Sequence, residues 1–378
     1  MLGTPERFYV LDIIRAAAAL IIVAVHTKYF YLLPDGTYPD GLAHSDRIFY
    51  AVLSPIYHYG ATSVQVFFCM SGFIFFWLYV DSIQTARTSA WAFFVFRFSR
   101  LYPLHFATLI FVACAQWWFA DVSGGHIVFG PNTQEQFFYQ LFLASEWGVS
   151  GTLSFNGPIW TVSGEVAAYA VFFLMASTRL AGIHHVVIAM LLAGLVHEVN
   201  HRLGHALFFF FTGGLIYLVW NALRQRFSRR VFLRFLLPLA TLALTGTCAA
   251  VPWLPRFEGQ FVLWFVVAPL CVVVPVLVQS AWPTLGRHCA PAGDLSYGFY
   301  LLHFPIQIVI IGLAWENGRL VNVTPTLFFS YMIGLVIAAV LVFYWFEKPC
   351  QTAIRRAWLR PRRTVLPTSS GSAPQPAS

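Results

Sequence analysis

Charged residues are scarce in this 378-residue chain: Lys, Arg, Asp and Glu make up 10% of it, and hydrophobic residues make up 58%. A soluble globular domain usually carries about 25% charged residues. No two of the six cysteines have CxxC spacing, and most lie in apolar runs, which favours small core residues over a disulfide or metal site. No small-residue cleavage site clearly follows the first apolar segment, so we expect no cleavable signal. The composition predicts a helical protein that crosses a membrane many times.

Apolar runs of roughly bilayer-spanning length recur along the chain, and they predict an all-α fold of about ten transmembrane helices. The segment 86–99 is typical of a helix lying at the membrane interface. We expect residues 1–350 to form the transmembrane domain. Residues 351–378, basic and then rich in Pro and Ser, are expected to form a disordered cytoplasmic tail. The ten expected spans are 9–31, 60–80, 100–119, 156–177, 183–198, 205–222, 232–252, 260–280, 296–315 and 325–346.

Basic residues are divided unevenly between alternate loops. Of the 23 Lys and Arg residues, 17 fall on the side of the N-terminus and four on the other side. An excess of Lys and Arg marks cytoplasmic loops, so we expect both termini in the cytoplasm of a multi-pass cell (inner) membrane protein. The net charge of +8 then reflects topology and attraction to anionic lipid heads, and no nucleic-acid partner is expected.

The first span carries three ionisable residues, Asp12, Arg15 and His26. Such residues are costly in the membrane, and their presence favours a functional role. Asp12 and Arg15 are one turn apart and can pair. Arg15 and His26 point the same way, about 16 Å apart along the helix axis. The alternative is an ion pair that only anchors the helix, together with an ordinary core histidine.

Two further motifs are compatible with either packing or ligand binding. Arg97 and Arg100, one turn apart on the cytoplasmic side, form a double fork suited to phosphates, or simply anchor the helix by the positive-inside rule. Ser71 and Gly72, in the second span, permit close approach of a ligand or of another helix.

Polar residues also enter two later spans. Trp160 and Glu165 open the fourth span from outside, where a carboxylate could orient a hydroxyl-bearing substrate or hold an Arg or His. Ser296, Tyr300 and His303 share one face of the ninth span, because they occupy positions i, i+4 and i+7. That face is a polar stripe in an otherwise apolar helix.

One motif points to different chemistry. His197, Glu198 and His201 match the H-E-x-x-H pattern, which on a helix presents two imidazoles to zinc and a Glu to water. The match lies at the outer end of a short span and runs into a loop. An intramembrane zinc protease is therefore the minor interpretation, a polar interfacial loop is the major one, and we predict no metal site.

Taken together, the order and spacing of these motifs resemble the integral-membrane acyltransferase 3 family. The sequence departs from the family pattern at Ala16-Ala17, Cys69-Met70 and Gly164, small changes that leave the chemistry intact. The motifs that carry the resemblance are Leu11-Asp12-x-x-Arg15 with His26, Phe67-Phe68-x-x-Ser71-Gly72-Phe73, Arg97-x-x-Arg100-x-x-Pro103, Trp160-x-x-x-x-Glu165, Ser296-Tyr297-x-x-Tyr300-x-x-His303-x-Pro305 and Phe346-Glu347-Lys348-Pro349.

The resemblance implies transfer of an acyl group, commonly acetyl, from cytoplasmic acyl-CoA to a hydroxyl of a polysaccharide, lipid-linked sugar or small molecule. No bound cofactor is expected, and acyl-CoA is a co-substrate. We expect the catalytic residues to be His26, Arg15, Asp12 and His303. We expect the acyl-CoA-binding residues to be Arg97, Arg100, Ser71 and Gly72. We expect the acceptor-binding residues to be Glu165, Trp160, Ser296, Tyr297 and Tyr300.

Within that scheme His26 is the general base on the acceptor hydroxyl, and a covalent acyl-histidine is the less favoured variant. His303, Tyr297 or Tyr300 would stabilise the oxyanion. The partners are the lipid bilayer, acyl-CoA and a carbohydrate or lipid-linked glycan; the alternative acceptor is a small molecule such as a macrolide. A transporter or flippase is the alternative of another class. It should show broken helices in repeated halves, and the sequence has no internal repeat.

Overall fold

The computed structural model describes residues 7–148 and 152–359. Within those ranges the chain consists of α-helices joined by short 3₁₀ and π turns, and it contains no β-strand, which confirms the all-α prediction. The α-helices are α1 (Tyr9–His26), α2 (Tyr50–Tyr59), α3 (Ser63–Gln84), α4 (Ala90–Trp118), α5 (Ala120–Ser123), α6 (Gln134–Leu141), α7 (Trp160–Ser177), α8 (Ile183–Val199), α9 (His201–Arg226), α10 (Arg229–Val231), α11 (Leu237–Ala250), α12 (Arg256–Val262), α13 (Ala268–Ala281), α14 (Ala290–Glu316), α15 (Pro325–Val342) and α16 (Lys348–Trp358).

The described residues contain nine helical segments that are long and apolar enough to cross a membrane. The expected span that is missing from these nine, 183–198, corresponds to α8, an apolar helix of 17 residues, at the lower limit of the length that can span a bilayer. Helices α8 and α9 form a hairpin at Asn200, whose side chain caps α9 by accepting a hydrogen bond from the Leu203 N–H. The spans therefore lie where the hydrophobic pattern placed them.

The segment 86–99, expected to form a helix at the membrane interface, is not a helix of its own. The segment forms the first turns of α4, which runs unbroken through Pro103 to Trp118. Ser89 caps its start by accepting a hydrogen bond from the Ala92 N–H. The proline is tolerated because neighbouring groups can compensate for its missing N–H in a membrane helix. Arg97 and Arg100 consequently lie inside a long helix rather than at its beginning.

The expected tail is in part an ordered helix. A π turn (Phe343–Glu347) joins α15 to α16, which ends at Trp358. Residues 360–378 lie outside the described residues. The ordered part packs along the first half of α4, where Trp358 stacks on Trp91 and Phe98. The division at residue 350 therefore falls inside a helical segment.

The centre of the bundle is formed by α1, α3, α9 and α14. In the span that contains α14, 67% of its most apolar stretch is buried, whereas the span that contains α11 has 6% buried and faces outward. Helices α3 and α9 approach very closely, because Gly72 and Gly213 each face the other helix's backbone. All six cysteines are free thiols, and among them only Cys69 is buried. The expectation of core residues is therefore wrong for the three exposed ones, Cys114, Cys248 and Cys289.

The long outer loop before α7 is tied to the α8–α9 hairpin. Glu146 is buried and lies 3.4 Å from Arg202. Its backbone carbonyl accepts a hydrogen bond from Asn200, and its N–H donates to Ser163. The side chain and the backbone of this single residue therefore help to hold three elements together at the outer end of the bundle.

Candidate active site

A cavity of about 190 Å³ lies between α1, α3, α4, α7 and α14. Eight of the residues expected from the sequence line it, and they come from all five helices. The lining does not include the other five expected site residues, Asp12, Gly72, Trp160, His26 and His303. The residues of both groups expected to bind ligands thus meet in one space rather than in two. The eight lining residues are Arg15, Ser71, Arg97, Arg100, Glu165, Ser296, Tyr297 and Tyr300.

Arg15 enters the cavity from α1 with Asp12 beside it. The expected ion pair is present, with 3.5 Å between Arg15 Nη1 and Asp12 Oδ1. However, Asp12 makes its shorter contact with Arg7, whose Nε lies 2.6 Å from Oδ2. Arg7 also contacts Asp294, at the start of α14, at 3.1 Å. Arg7 therefore ties the N-terminal segment to α1 and α14, and Asp12 supports Arg15, which faces the cavity.

The two arginines of α4 are held in different ways. Arg97 donates to the Tyr79 hydroxyl at 2.8 Å and lies over the rings of Phe75 and Tyr79. Its Nε is buried without a hydrogen-bond partner in the part of the chain that the structure describes. A buried guanidinium N–H without an acceptor is costly, so this group is well placed for an anionic ligand.

Arg100 lies one turn further along α4. It donates to the Asp294 backbone carbonyl at 2.9 Å. Its Nη1 is 3.5 Å from the carboxylate of Glu347, which is 1% exposed at the end of the π turn. Neither oxygen of Glu347 accepts a hydrogen bond from a described residue. Arg100 is therefore the counter-ion of a deeply buried carboxylate as well as a lining residue of the cavity.

Glu165 and Ser71 lie in direct contact in the wall of the cavity. The Ser71 hydroxyl donates directly to the Glu165 carboxylate. Tyr169, one turn along α7, lines the cavity beside Glu165. The positive charges of Arg15 and Arg97 act on the same carboxylate. The cavity therefore contains both positive and negative groups that could orient a polar ligand.

His26 and His303 form a hydrogen-bonded pair across α1 and α14. His26 Nδ1 lies 2.7 Å from His303 Nε2, and His303 Nδ1 lies 2.6 Å from the backbone carbonyl oxygen of Tyr300. A carbonyl only accepts, so His303 Nδ1 must carry the proton. In the neutral pair His303 Nε2 then accepts from the His26 Nδ1–H. This arrangement leaves the Nε2 lone pair of His26 available to take a proton.

The histidine pair lies just beyond the end of the cavity. Ile22, one turn before His26 on α1, lines the cavity, and so does Tyr300, one turn before His303 on α14. One helical turn is about 5.4 Å. Tyr29 packs on the His26 ring, and Phe304 packs in turn on Tyr29. A ligand that fills the cavity from its arginine end would therefore approach His26 at its opposite end.

The hydroxyls expected to stabilise an oxyanion are already used as donors. Tyr297 donates to the Leu101 carbonyl at 2.7 Å, and Tyr300 donates to the Pro158 carbonyl at 2.8 Å. Ser296 likewise donates to the Gly293 carbonyl at 2.7 Å. In this conformation the tyrosines tie α14 to α4 and to the start of α7.

Two other expected site residues serve packing here. A Cβ added at Gly72 would lie 1.7 Å from the backbone oxygen of Phe210, so this glycine faces α9 rather than the cavity. Trp160 packs near Phe68, with 6.2 Å between the ring centroids. Gly72 accordingly fits the packing interpretation that the sequence left open.

The H-E-x-x-H match does not lie on one helix. Helix α8 ends at Val199 and α9 begins at His201, so the chain turns back between the two histidines. His197 Nδ1 lies 3.1 Å from the backbone oxygen of His201. Among the described residues, no group of three or more His, Cys, Asp or Glu side chains could hold a metal ion. The helical presentation that zinc proteases require is thus missing.

Several residues of the site carried no role in the sequence analysis. Tyr169 and Thr161 line the cavity, and Arg7 holds Asp12. Glu347 belongs to the closing motif Phe346-Glu347-Lys348-Pro349, and an acidic residue at the end of an apolar span was the signal that could have identified it. The other three carry no such signal, because their roles depend on contacts between helices.

The fold and this polar cavity define a polytopic membrane protein with a site buried between its helices, and comparison with known proteins identifies its class. A family profile described as an acyltransferase domain matches residues 8–345, so the chain belongs to the integral-membrane acyltransferase 3 family. No solved structure matches the chain.

Two curated proteins are similar over part of the chain. Acyltransferase MdmB of Streptomyces mycarofaciens is 28% identical over 161 residues, which cover 42% of this chain and 36% of that protein. Nodulation protein 10 of Rhizobium leguminosarum bv. viciae is 26% identical over 293 residues, which cover 68% of this chain and 74% of that protein. The match thus spans little more than a third of the first relative and about three quarters of the second.

Proposed function

We propose that this protein transfers an acyl group, most simply acetyl, from cytoplasmic acyl-CoA to a hydroxyl of a cell-surface or exported polysaccharide or a lipid-linked sugar. The observation that carries the proposal is the cavity itself. It has Arg97 and Arg100 towards one end, Arg15 and Glu165 along its walls, and its opposite end lies about one helical turn from His26. Acyl transfer between compartments needs this arrangement of an anion site, a passage and a base.

In this proposal the donor enters from the arginine end. Arg97 and Arg100 bind phosphates of CoA, because guanidinium groups match phosphate geometry and one of their N–H groups is buried without an acceptor. The pantetheine arm then extends through the cavity past Arg15 and brings the thioester towards His26. Lys and Arg asymmetry assigns the arginine end to the cytoplasm, where acyl-CoA is found.

The acceptor hydroxyl approaches the His26 end from outside. His26 Nε2 removes the hydroxyl proton, and the oxygen attacks the thioester carbonyl carbon. The tetrahedral intermediate collapses when the carbon–sulfur bond breaks, and the proton on His26 passes to the departing thiolate. The products are the acyl ester and free CoA. His303 acts as a positioning residue in this scheme, because its hydrogen bond fixes the tautomer of His26.

The proposed roles of the remaining residues follow from their contacts. Glu165, with Ser71 as a donor to it, orients the polar part of the acceptor or of the pantetheine arm. Asp12 supports Arg15 through their ion pair. Tyr297 and Tyr300 must release their backbone carbonyls before either can stabilise an oxyanion.

The test is label transfer from radiolabelled acetyl-CoA in membranes that contain the wild type, His26→Ala or His184→Ala. His184 is exposed at the start of α8 and serves as the matched histidine control. We expect label in an extracted glycan or lipid fraction with the wild type and with His184→Ala, and no transfer with His26→Ala. Full activity of His26→Ala would refute the role of His26, and absence of CoA release with every acyl-CoA tried would refute the proposed donor.

A further inference from the structure

Helix α16 lies outside the family match, which ends at residue 345, yet it is packed against the arginine helix of the site. Trp358 stacks on Trp91 with 5.5 Å between ring centroids, and the Trp91 indole N–H donates to the Trp358 backbone carbonyl at 3.0 Å. A further ring contact joins Trp358 to Phe98. These contacts fix the position of α16 relative to the first half of α4.

Arg355 projects from α16 towards the same part of α4. Its Nε donates to the Ser99 hydroxyl at 3.0 Å, and its guanidinium lies 5.6 Å from the centroid of the Phe96 ring. Ser99 is completely buried and donates in turn to the Phe96 carbonyl. The Arg355 side chain is therefore held in one orientation before any ligand arrives, which reduces the entropy cost of binding.

Arg355 therefore lies close to the two site arginines of α4, because Ser99, which it contacts, stands between Arg97 and Arg100 in that helix. The charges of Arg97 and Arg100 both act repulsively on Arg355. Arg100 has Glu347 as a counter-ion, but Arg355 forms no ion pair with an acidic residue of the described ranges. Like charges held together without a counter-ion are destabilising, and a dianionic ligand would relieve the repulsion. The cluster thus has the positive charge of a phosphate site, and each of its guanidinium groups carries several N–H donors.

We propose that Arg355 binds a phosphate group of the acyl donor together with Arg97 and Arg100, an inference that rests on the proposed function. Arg97 and Arg100 line the cavity, whereas Arg355 does not. A ligand group that reaches Arg355 must lie outside the cavity, on the side away from the reacting end. In a CoA thioester the phosphates of the nucleotide are the groups furthest from the acyl carbon, so Arg355 contacts those.

A lipid headgroup carries the same phosphate chemistry and could reach a residue at the membrane surface. The two sources differ in a measurable way. A donor phosphate is part of a soluble substrate and can be replaced by competing nucleotides. A lipid phosphate depends on the composition of the bilayer and not on the donor.

The experiment measures acetyl transfer by the full-length protein in nanodiscs, with the wild type, Arg355→Ala, Arg355→Lys and Arg356→Ala. Arg356 is the neighbouring exposed arginine and provides the matched control. Two competitors are used: adenosine 3′,5′-bisphosphate, which has phosphates and no pantetheine, and pantetheine, which has no phosphate. We expect Arg355→Ala to raise the KM for acetyl-CoA and the Ki of the bisphosphate by about tenfold.

The same variant should leave the Ki of pantetheine within about twofold of the wild-type value, and Arg356→Ala should behave like the wild type. In Arg355→Lys the Ki of the bisphosphate should lie between those of the wild type and of Arg355→Ala, because lysine keeps the charge and loses the paired N–H donors of the guanidinium group. An unchanged bisphosphate Ki in Arg355→Ala would overturn the inference, and so would an equal rise for both competitors, which indicates general damage.

The lipid arm compares discs of phosphatidylcholine with discs that contain phosphatidylglycerol. A defect of Arg355→Ala that occurs only in anionic discs would assign the residue to a lipid phosphate and overturn its role towards the donor. A wild-type protein that uses no CoA thioester would refute the proposed function itself. That result is distinguishable from failure of the Arg355 inference, because it is seen with the wild type alone, before any variant is compared.

Discussion

Replacing His303 tests whether the histidine pair works as a unit. The pair is joined at 2.7 Å, and His303 is itself fixed by its 2.6 Å hydrogen bond to the Tyr300 carbonyl. In His303→Phe the Nδ1–H of His26 loses its acceptor, so the ring can rotate and adopt the tautomer that blocks Nε2. His303→Gln is the conservative variant, because a side-chain oxygen can still accept that hydrogen bond.

The expected size of the effect follows from the role of the base. General-base catalysis contributes about 10²–10⁴-fold, or about 2.7–5.4 kcal/mol of transition-state stabilisation. His26 is still present in His303→Phe, so we expect a loss near the lower end, about 10²-fold in kcat. The KM for the donor should change less than about threefold, because His303 does not line the cavity. His303→Gln should recover a substantial part of the rate.

The assay is steady-state acetyl transfer by purified variants, with thermal unfolding measured in parallel to confirm folding. A His303→Phe enzyme that keeps more than half of the wild-type kcat would refute the positioning role. A His303→Gln enzyme that is as slow as His303→Phe would also contradict it, because the argument depends on the accepted hydrogen bond. A large rise in KM with unchanged kcat would place His303 in donor binding instead.

Three further predictions concern stability. Gly72→Ala should destabilise the protein by about 1–3 kcal/mol, because the new Cβ would lie 1.7 Å from a backbone oxygen of α9. The control is Gly334→Ala, whose Cβ would have nothing within 4 Å. It should be neutral or slightly stabilising in thermal unfolding. Burial raises the pKa of Glu146 to about 7 although its arginine partner opposes the shift. The folded protein therefore keeps a proton that the unfolded chain releases between the ordinary carboxyl pKa and about pH 7. Stability should fall as pH rises through that window, and Glu146→Gln should reduce this dependence in a Tm–pH series. Arg100→Gln should lower the free energy of unfolding by about 3–5 kcal/mol, because it leaves the Glu347 carboxylate buried and unpaired. Adding Glu347→Gln should restore the Tm but not the activity. A double variant that is as unstable as the single one would contradict this prediction.

Much of the architecture could be predicted from sequence because it depends on local patterns. The apolar runs placed the spans, and the three-residue spacing of Asp12 and Arg15 predicted a pair that the structure contains. The segment 86–99 shows the limit of such local patterns. An aromatic and basic stretch fits an interfacial helix and the first turns of a long span equally well, and only the structure shows that it is continuous with the span in α4.

The sequence by itself determined the class of protein, because bilayer-spanning length, charge asymmetry and motif order can be read along the chain. Tertiary structure alone decided which polar groups meet. His26 and His303 are separated by 277 positions, and Ser71 and Glu165 by 94, so no periodicity within one helix relates them. Their contacts depend on the depth and rotation of neighbouring helices, which are set by packing such as the glycine contact between α3 and α9.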